Sequence, residues 1–220
     1  MIEAVVIDVD DTLCLTEAAC FDLENEALRR MGRESMSRTV HKATWGRPFF
    51  EAILERSPGI DIKEFETFYH PIIEEYVASG KLDAIPDQNY AALDKLIALN
   101  KRIMLLTSRT HSELKHMLEP DHLLASRVQA FYYKDNMQYL KPDPRAFEKL
   151  LSDNKLEPHN CVYVGDSPSD AQAANAAGLY FIASLESSIR QREDFDSYQV
   201  DAFIDRFPDI VDAVALLDRP

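Results

Sequence analysis

The sequence predicts an α/β protein: a doubly wound, mostly parallel sheet with a helical module inserted after the first strand. Three observations carry this. Short, near-continuous apolar runs recur along the chain and alternate with helical patterns, as expected of parallel strands buried on both faces. Several of these runs end abruptly in polar residues. One connection, from Asp8 to Thr107, is ~100 residues long, where a strand–helix–strand unit needs about 30.

The elements come in this order. "EAVVIDVDDTL" (Glu3–Leu13) opens as a buried strand, about Glu3 to Asp8, and then places aspartate at Asp8, Asp10 and Asp11. The overlong connection reads as helical. "TEAACFDLENEALRRMG" predicts a helix capped at Thr16 and stopped at Gly32. "RPFFEAILERS" puts Pro48 near a helix start, where its missing N–H is harmless. "DIKEFETFY" offers a capping box, Asp61 with Glu64, and Pro71 is expected to break or kink the helix beyond it. Residues 15–85 therefore read as an inserted helical domain, and residues 1–14 with 86–220 as the domain that carries the sheet.

Beyond the insert, "DQNYAALDKLIALN" predicts a helix capped at Asp87, and "KRIMLLTSR" a second strand. "VQAFYYK", "NCVYVGD", "LYFIAS" and a weaker "DAFID" continue the strand pattern. "DPRAFEKLLSDN" and the alanine-rich "PSDAQAANAAG", stopped at Gly178, are helical. No internal repeat or low-complexity tract interrupts the chain.

Composition narrows the function. The 220 residues carry 38 acidic against 24 basic side chains, a formal charge of −14. A nucleic-acid binder needs a basic footprint, which this chain lacks. Its three cysteines, Cys14, Cys20 and Cys161, are odd in number and show no CxxC spacing, so no disulfide framework is expected. The six histidines are scattered without zinc-ligand spacing. Without a signal-peptide pattern or a bilayer-length apolar run, the expectation is a cytoplasmic protein with no membrane partner, and a monomer.

The polar strand ends belong together if the sheet is parallel, because such sheets bind ligands at the carboxyl ends of their strands. The first strand brings Asp8, Asp10 and Thr12, and the second Thr107 and Ser108. "YLKPDPRAF" brings Lys141, and "GDSPSD" brings Asp166 and Asp170. Asp8 and Asp10, two apart in extended chain, share a face. So many carboxylates at one edge call for a cation. A hard divalent ion with oxygen ligands, Mg²⁺, suits a few carboxylates, waters and a phosphate. The bland alternatives are solvated turn acids for the aspartates and a helix cap for Thr107 and Ser108.

"DVDDT", "LLTS", "KPDP" and "GDSPSD", in that order, resemble the four motifs of the haloacid dehalogenase superfamily, and more narrowly of its Mg²⁺-dependent phosphatases. The helical insert resembles the cap of the phosphoglycolate phosphatase and β-phosphoglucomutase branch. The resemblance implies a Rossmann-like core and a phosphatase acting on a small phosphorylated metabolite. It also implies roles. Asp8 attacks phosphorus and becomes an aspartyl phosphate, and Asp10 serves as acid and then base. The Asp8 and Asp166 side chains and the Asp10 carbonyl hold the metal, with Asp170 orienting them. Thr107 and Ser108 hold phosphoryl oxygens, and Lys141 neutralises charge. One departure is Asp11, where the family usually has glycine.

In "WGRPFF", Arg47 is a candidate contact for a second anionic group of the substrate, against the alternative of a surface arginine at a helix start. Arg109 is a candidate substrate contact, against a strand-end salt bridge. Two other functions compete. A sugar-phosphate mutase of the same branch resembles this chain, but those enzymes keep a histidine in the first cap helix where this chain has Cys20. A receiver-like phosphoacceptor module would be shorter, with its aspartate on the third strand.

Overall fold

The computed structural model describes residues 1–45 and 49–218. In chain order the elements are β1 (Ala4–Ile7), α1 (Thr16–Arg30), α2 (Arg38–Thr44), α3 (Phe49–Arg56), α4 (Ile62–Ala78), α5 (Asp87–Ala98), β2 (Arg102–Leu106) and α6 (His111–Leu114). They continue with β3 (Ala130–Tyr132), α7 (Glu148–Asn154), β4 (Cys161–Gly165), α8 (Pro168–Ala177), β5 (Tyr180–Ser184), β6 (Ala202–Ile204) and α9 (Ile210–Leu217). The chain divides into two units, Met1–Cys14 with Ile85–Pro220, and Leu15–Ala84.

In the first unit the strands form one sheet in the order β3-β2-β1-β4-β5-β6. Every adjacent pair is parallel. β1 is central: Ile7 stands beside Leu105 of β2 and Val164 of β4. Alternation along β1 divides the core, as the period of two requires. Val5 and Ile7 pack on one side with Leu93 and Leu96 of α5 and Val214 of α9. Ala4 and Val6 pack on the other with Phe147, Leu150 of α7, and Ala171 and Ala174 of α8. Helices on both faces make the sheet doubly wound. Ile85 packs into this sheet core, so the second crossover falls one residue earlier than its expected place.

The second unit has its own apolar core, in which Leu23, Ala27 and Leu28 of α1 meet Ile53 of α3 and Phe65 and Ile72 of α4. Asp61 caps α4, accepting from the Glu64 N–H at 3.0 Å. Three local expectations need correction. Pro71 does not break its helix; α4 runs through it from Ile62 to Ala78, and Phe65 and Ile72 on either side are both fully buried. Packing against α1 outweighs the one backbone hydrogen bond a proline removes. Thr16 and Asp87 are the first residues of their helices, not caps, and their flanking residues Leu15 and Pro86 cap without a side-chain bond.

Candidate active site

β1 delivers Asp8 to the carboxyl edge of the sheet at its centre. The Asp8 N–H still pairs with the Val164 carbonyl at 2.9 Å, so β4 holds its main chain. The Val9 N–H donates to the Asp8 carboxylate at 2.8 Å. The chain then closes a tight loop, with the Leu13 and Cys14 N–H groups both donating to the Val9 carbonyl at 3.1 and 3.0 Å. That loop puts Asp11 at φ 53°, the left-handed region. Glycine takes this conformation most cheaply, and aspartate is among the few other residues that visit it.

β4 supplies the second group of acids. Asp166 follows directly on β4, and Asp170 sits in the first turn of α8. One Asp170 oxygen completes the helix cap, accepting from the Ser167 N–H at 3.0 Å and the Ser167 hydroxyl at 2.6 Å. Its other oxygen faces Lys141. Gly165 makes this possible, since a Cβ there would lie 2.6–2.7 Å from the Asp170 side chain. The glycine is required by that close approach.

Asp8, Asp166 and Asp170 each offer a carboxylate oxygen, all within 4.8 Å of one another. The Lys141 ammonium lies 3.0 Å from Asp8 and 2.7 Å from Asp170. Burial works against its charge, but the Asp170 and Asp8 carboxylates hold its pKa well above the ordinary lysine value. The acids are not balanced in return. Burial pushes Asp8 up to about 7, Lys141 opposes it, and the carboxylates of Asp170 and Asp10 add to the rise. Asp166 is also held well above the carboxylate range, by burial and then by Asp170, Asp8 and Asp11. The cluster carries more negative charge than Lys141 offsets, on oxygen donors alone. That is the chemistry of a hard divalent cation site.

The remaining candidates divide. Thr107 and Ser108 come directly after β2 at the same edge. Thr107 is buried, and its hydroxyl accepts the Arg109 N–H at 3.2 Å. The Asp10 carboxylate stands outside the three-acid cluster and is gripped by Arg109, whose Nε and Nη2 reach its oxygens at 3.0 and 2.6 Å. Arg109 thus meets an acid of the first motif, in keeping with the salt-bridge alternative. Arg47 lies outside the described residues. Two participants are not evident in the sequence. Tyr163 lies beneath Lys141, and Gly165 makes room for Asp170.

The family emerges from comparison. Residues 5–184 match haloacid dehalogenase-like hydrolase, and the chain belongs to that family. It is similar to a phosphoglycolate phosphatase of Nitrosospira multiformis, 24% identical over 99% of this chain and 96% of that one. It is also similar to a phosphorylated carbohydrates phosphatase of Thermotoga maritima, 26% identical over 85% of this chain and 87% of the other. In fold it resembles a Thermotoga maritima protein assigned as a β-phosphoglucomutase, with a TM-score of 0.79 and 20% identity over 98% and 99% of the two chains.

Proposed function

We propose that this hydrolase is a Mg²⁺-dependent phosphatase that cleaves a small organic phosphate monoester through an aspartyl phosphate on Asp8. The carrying observation is the cluster of Asp8, Asp166 and Asp170 around Lys141 at the centre of the sheet edge. Phosphatase relatives spanning 99% and 85% of the chain support the reaction class.

A magnesium ion would be held by Asp8, Asp166 and the Asp10 carbonyl, with Asp170 beside them, and would supply positive charge to the phosphoryl oxygens. The chain's own residues do the rest. The Asp8 carboxylate attacks phosphorus as the P–O bond to the leaving group breaks, and Asp10 gives that oxygen a proton. Asp10 then takes a proton from the water that attacks the aspartyl phosphate, which returns Asp8 and frees inorganic phosphate. Lys141 offsets charge on Asp8 and the phosphoryl group, while the Thr107 hydroxyl and Ser108 N–H position its oxygens.

The proposed substrate is a small phosphorylated metabolite, and the proposed setting a cytoplasmic monomer. Among the described residues no helix is long and apolar enough to cross a membrane. A screen of phosphorylated metabolites for released phosphate, run with Mg²⁺ and again with EDTA, tests the proposal. Release that survives EDTA would overturn the metal assignment. The β-phosphoglucomutase-like neighbour favours a mutase as the second reading. An isomeric sugar phosphate, in place of inorganic phosphate, would establish it.

A further inference from the structure

Tyr163 stands in the middle of β4, fully buried, on the same face as Gly165. Its ring packs edge-on to Phe147, centroids 5.0 Å apart, and more loosely toward Phe181 at 6.4 Å. A phenylalanine would fill this space equally well, as its neighbours do. What distinguishes Tyr163 is the hydroxyl, which lies 2.7 Å from Lys141 Nζ. The same oxygen is 3.3 Å from the Leu106 carbonyl and 3.3 Å from Asp170 Oδ1. Leu106 is the last residue of β2, directly before Thr107. One hydroxyl thus ties together the lysine loop, the end of β2 and the start of α8.

An ammonium has three donors and no acceptor. Lys141 has three acceptors within reach: Asp8 at 3.0 Å, Asp170 at 2.7 Å and Tyr163 at 2.7 Å. The two acids alone would fix its distance from each but leave it free to swing about the line joining them. A third carboxylate would stop the swing, yet would crowd another negative charge against Asp8 and Asp170, which already stand 3.0 and 2.7 Å from the ammonium. A phenol oxygen fixes the third direction without charge. Its own proton goes to Leu106 or Asp170, so the hydroxyl is not left buried without a partner.

We propose that Tyr163 is a positioning residue for the phosphoryl-transfer reaction, acting through Lys141. The hydroxyl sets where the ammonium stands between the nucleophile and the transferring group. This rests on the phosphatase proposal, and the test separates the two. Tyr163→Phe removes one oxygen and keeps the ring. Phe181→Leu, which loosens the same packing and leaves the hydroxyl, is the control.

With Mg²⁺ and p-nitrophenyl phosphate, Tyr163→Phe should lower kcat about tenfold, the scale of one hydrogen bond to a charged group. KM should stay within about twofold, because the lysine's position matters most as charge develops. Phe181→Leu should lower the melting temperature and keep kcat. A crystal structure of Tyr163→Phe should show Lys141 Nζ displaced from Asp8. An unchanged kcat, an equal kcat loss in Phe181→Leu, or an unmoved ammonium would overturn the inference. A wild-type protein that hydrolyses no phosphate monoester would end the phosphatase proposal, and this inference with it.

Discussion

Two clusters of buried charge lie in different units of this protein and are built on opposite principles. At the sheet edge, Asp8 and Asp170 share the Lys141 ammonium with Asp166 clustered against them, and burial first pushes Asp8 and Asp166 above the carboxylate range. In the helical unit, Glu17 and Glu24 of α1 face His41 of α2 and Arg56 of α3, all four buried. There the charges answer one another. His41 bonds Glu17 at 2.6 Å and Glu24 at 3.3 Å, and Arg56 reaches both oxygens of Glu24 at 2.7 Å. Arg38 adds a contact to Glu17 at 2.6 Å, and Arg56 also donates to the Thr44 hydroxyl at 2.8 Å. Burial opposes the charge on Glu17, yet the bonds from His41 and Arg38 outweigh it and pull its pKa down. Burial of charge therefore does not by itself mark a site. Among the described residues, a deficit of partners at the sheet edge fits the ion and phosphate proposed there, while a full set fits the helical cluster as structure.

The largest expected effect breaks the contrast at the sheet edge. Asp8→Asn should lower phosphatase turnover by more than about 10³-fold, since it removes the group proposed to attack phosphorus. In EDTA the same variant should melt higher than wild type, because one member of a mutually repelling set is gone. The companion change, Asp166→Asn, should also raise the EDTA melting temperature and should shrink the stabilisation by Mg²⁺. For wild type, Mg²⁺ at about 100 times its dissociation constant should contribute about 2.7 kcal/mol, read as a shift in thermal melting. Neutral variants that destabilise in EDTA would show that the edge acids are balanced after all.

The helical cluster should respond in the opposite sense. Glu24→Gln leaves Arg56 buried beside an amide, with neither Glu24 charge nor an equal replacement. The expected loss is about 3–5 kcal/mol, measured by urea unfolding of the whole chain. A loss below about 1 kcal/mol would mean that water or another acid already serves Arg56, and the contrast would weaken.

The contrast also explains which features the sequence makes legible. The six strands and the edge residues Asp8, Thr107 and Asp166 are legible because their signals are local, an apolar run and then a polar end, and Lys141 is legible from its proline-flanked stretch. Partners across the fold are not. The place of Arg109 at a strand end admits a salt bridge, but its grip on Asp10 joins positions separated by 99 residues, and nothing near Arg109 names that partner. Tyr163 in "CVYVG" reads as core, since its ring is core and only the hydroxyl points to chemistry. Glu17, Glu24 and Arg56 do not stand out in their helices, for polar residues at helical spacing look the same whether water or another helix satisfies them. Pro71 misleads for the same reason: a local rule is overridden by packing invisible in the local sequence.

His41 gives the smallest effect and the sharpest one in pH. Burial alone would push its pKa down, but hydrogen bonds to Glu17 and Glu24 outweigh burial, and Arg56 opposes them only in part, so the value is raised above 6.5. The groups around it are Glu17 and Glu24 from α1, Arg38 on its own helix and Arg56 from α3. From α4, Tyr69 lies near enough to Glu24 and Arg56 for both to bear on its hydroxyl. A histidine raised in the folded state contributes stability in full below its unfolded value and loses it as pH rises through the folded one. Glu17 works the other way, with a lowered pKa whose contribution fades only in acid, below its ordinary 4.5. The window from about pH 6 upward therefore belongs to His41 within this cluster. Asp8 also varies with pH, since an acid raised to about 7 costs the fold stability progressively as pH climbs from its ordinary value to about 7. The readout must then be the difference between wild type and His41→Gln, in which Asp8 cancels. That difference in melting temperature should be greatest near pH ~6 and shrink as pH rises past the raised value. A constant difference from about pH 6 to 9 would mean that His41 is held neutral throughout, bonded to its two glutamates without charge, and the helical cluster would no longer be the balanced counterpart of the sheet edge.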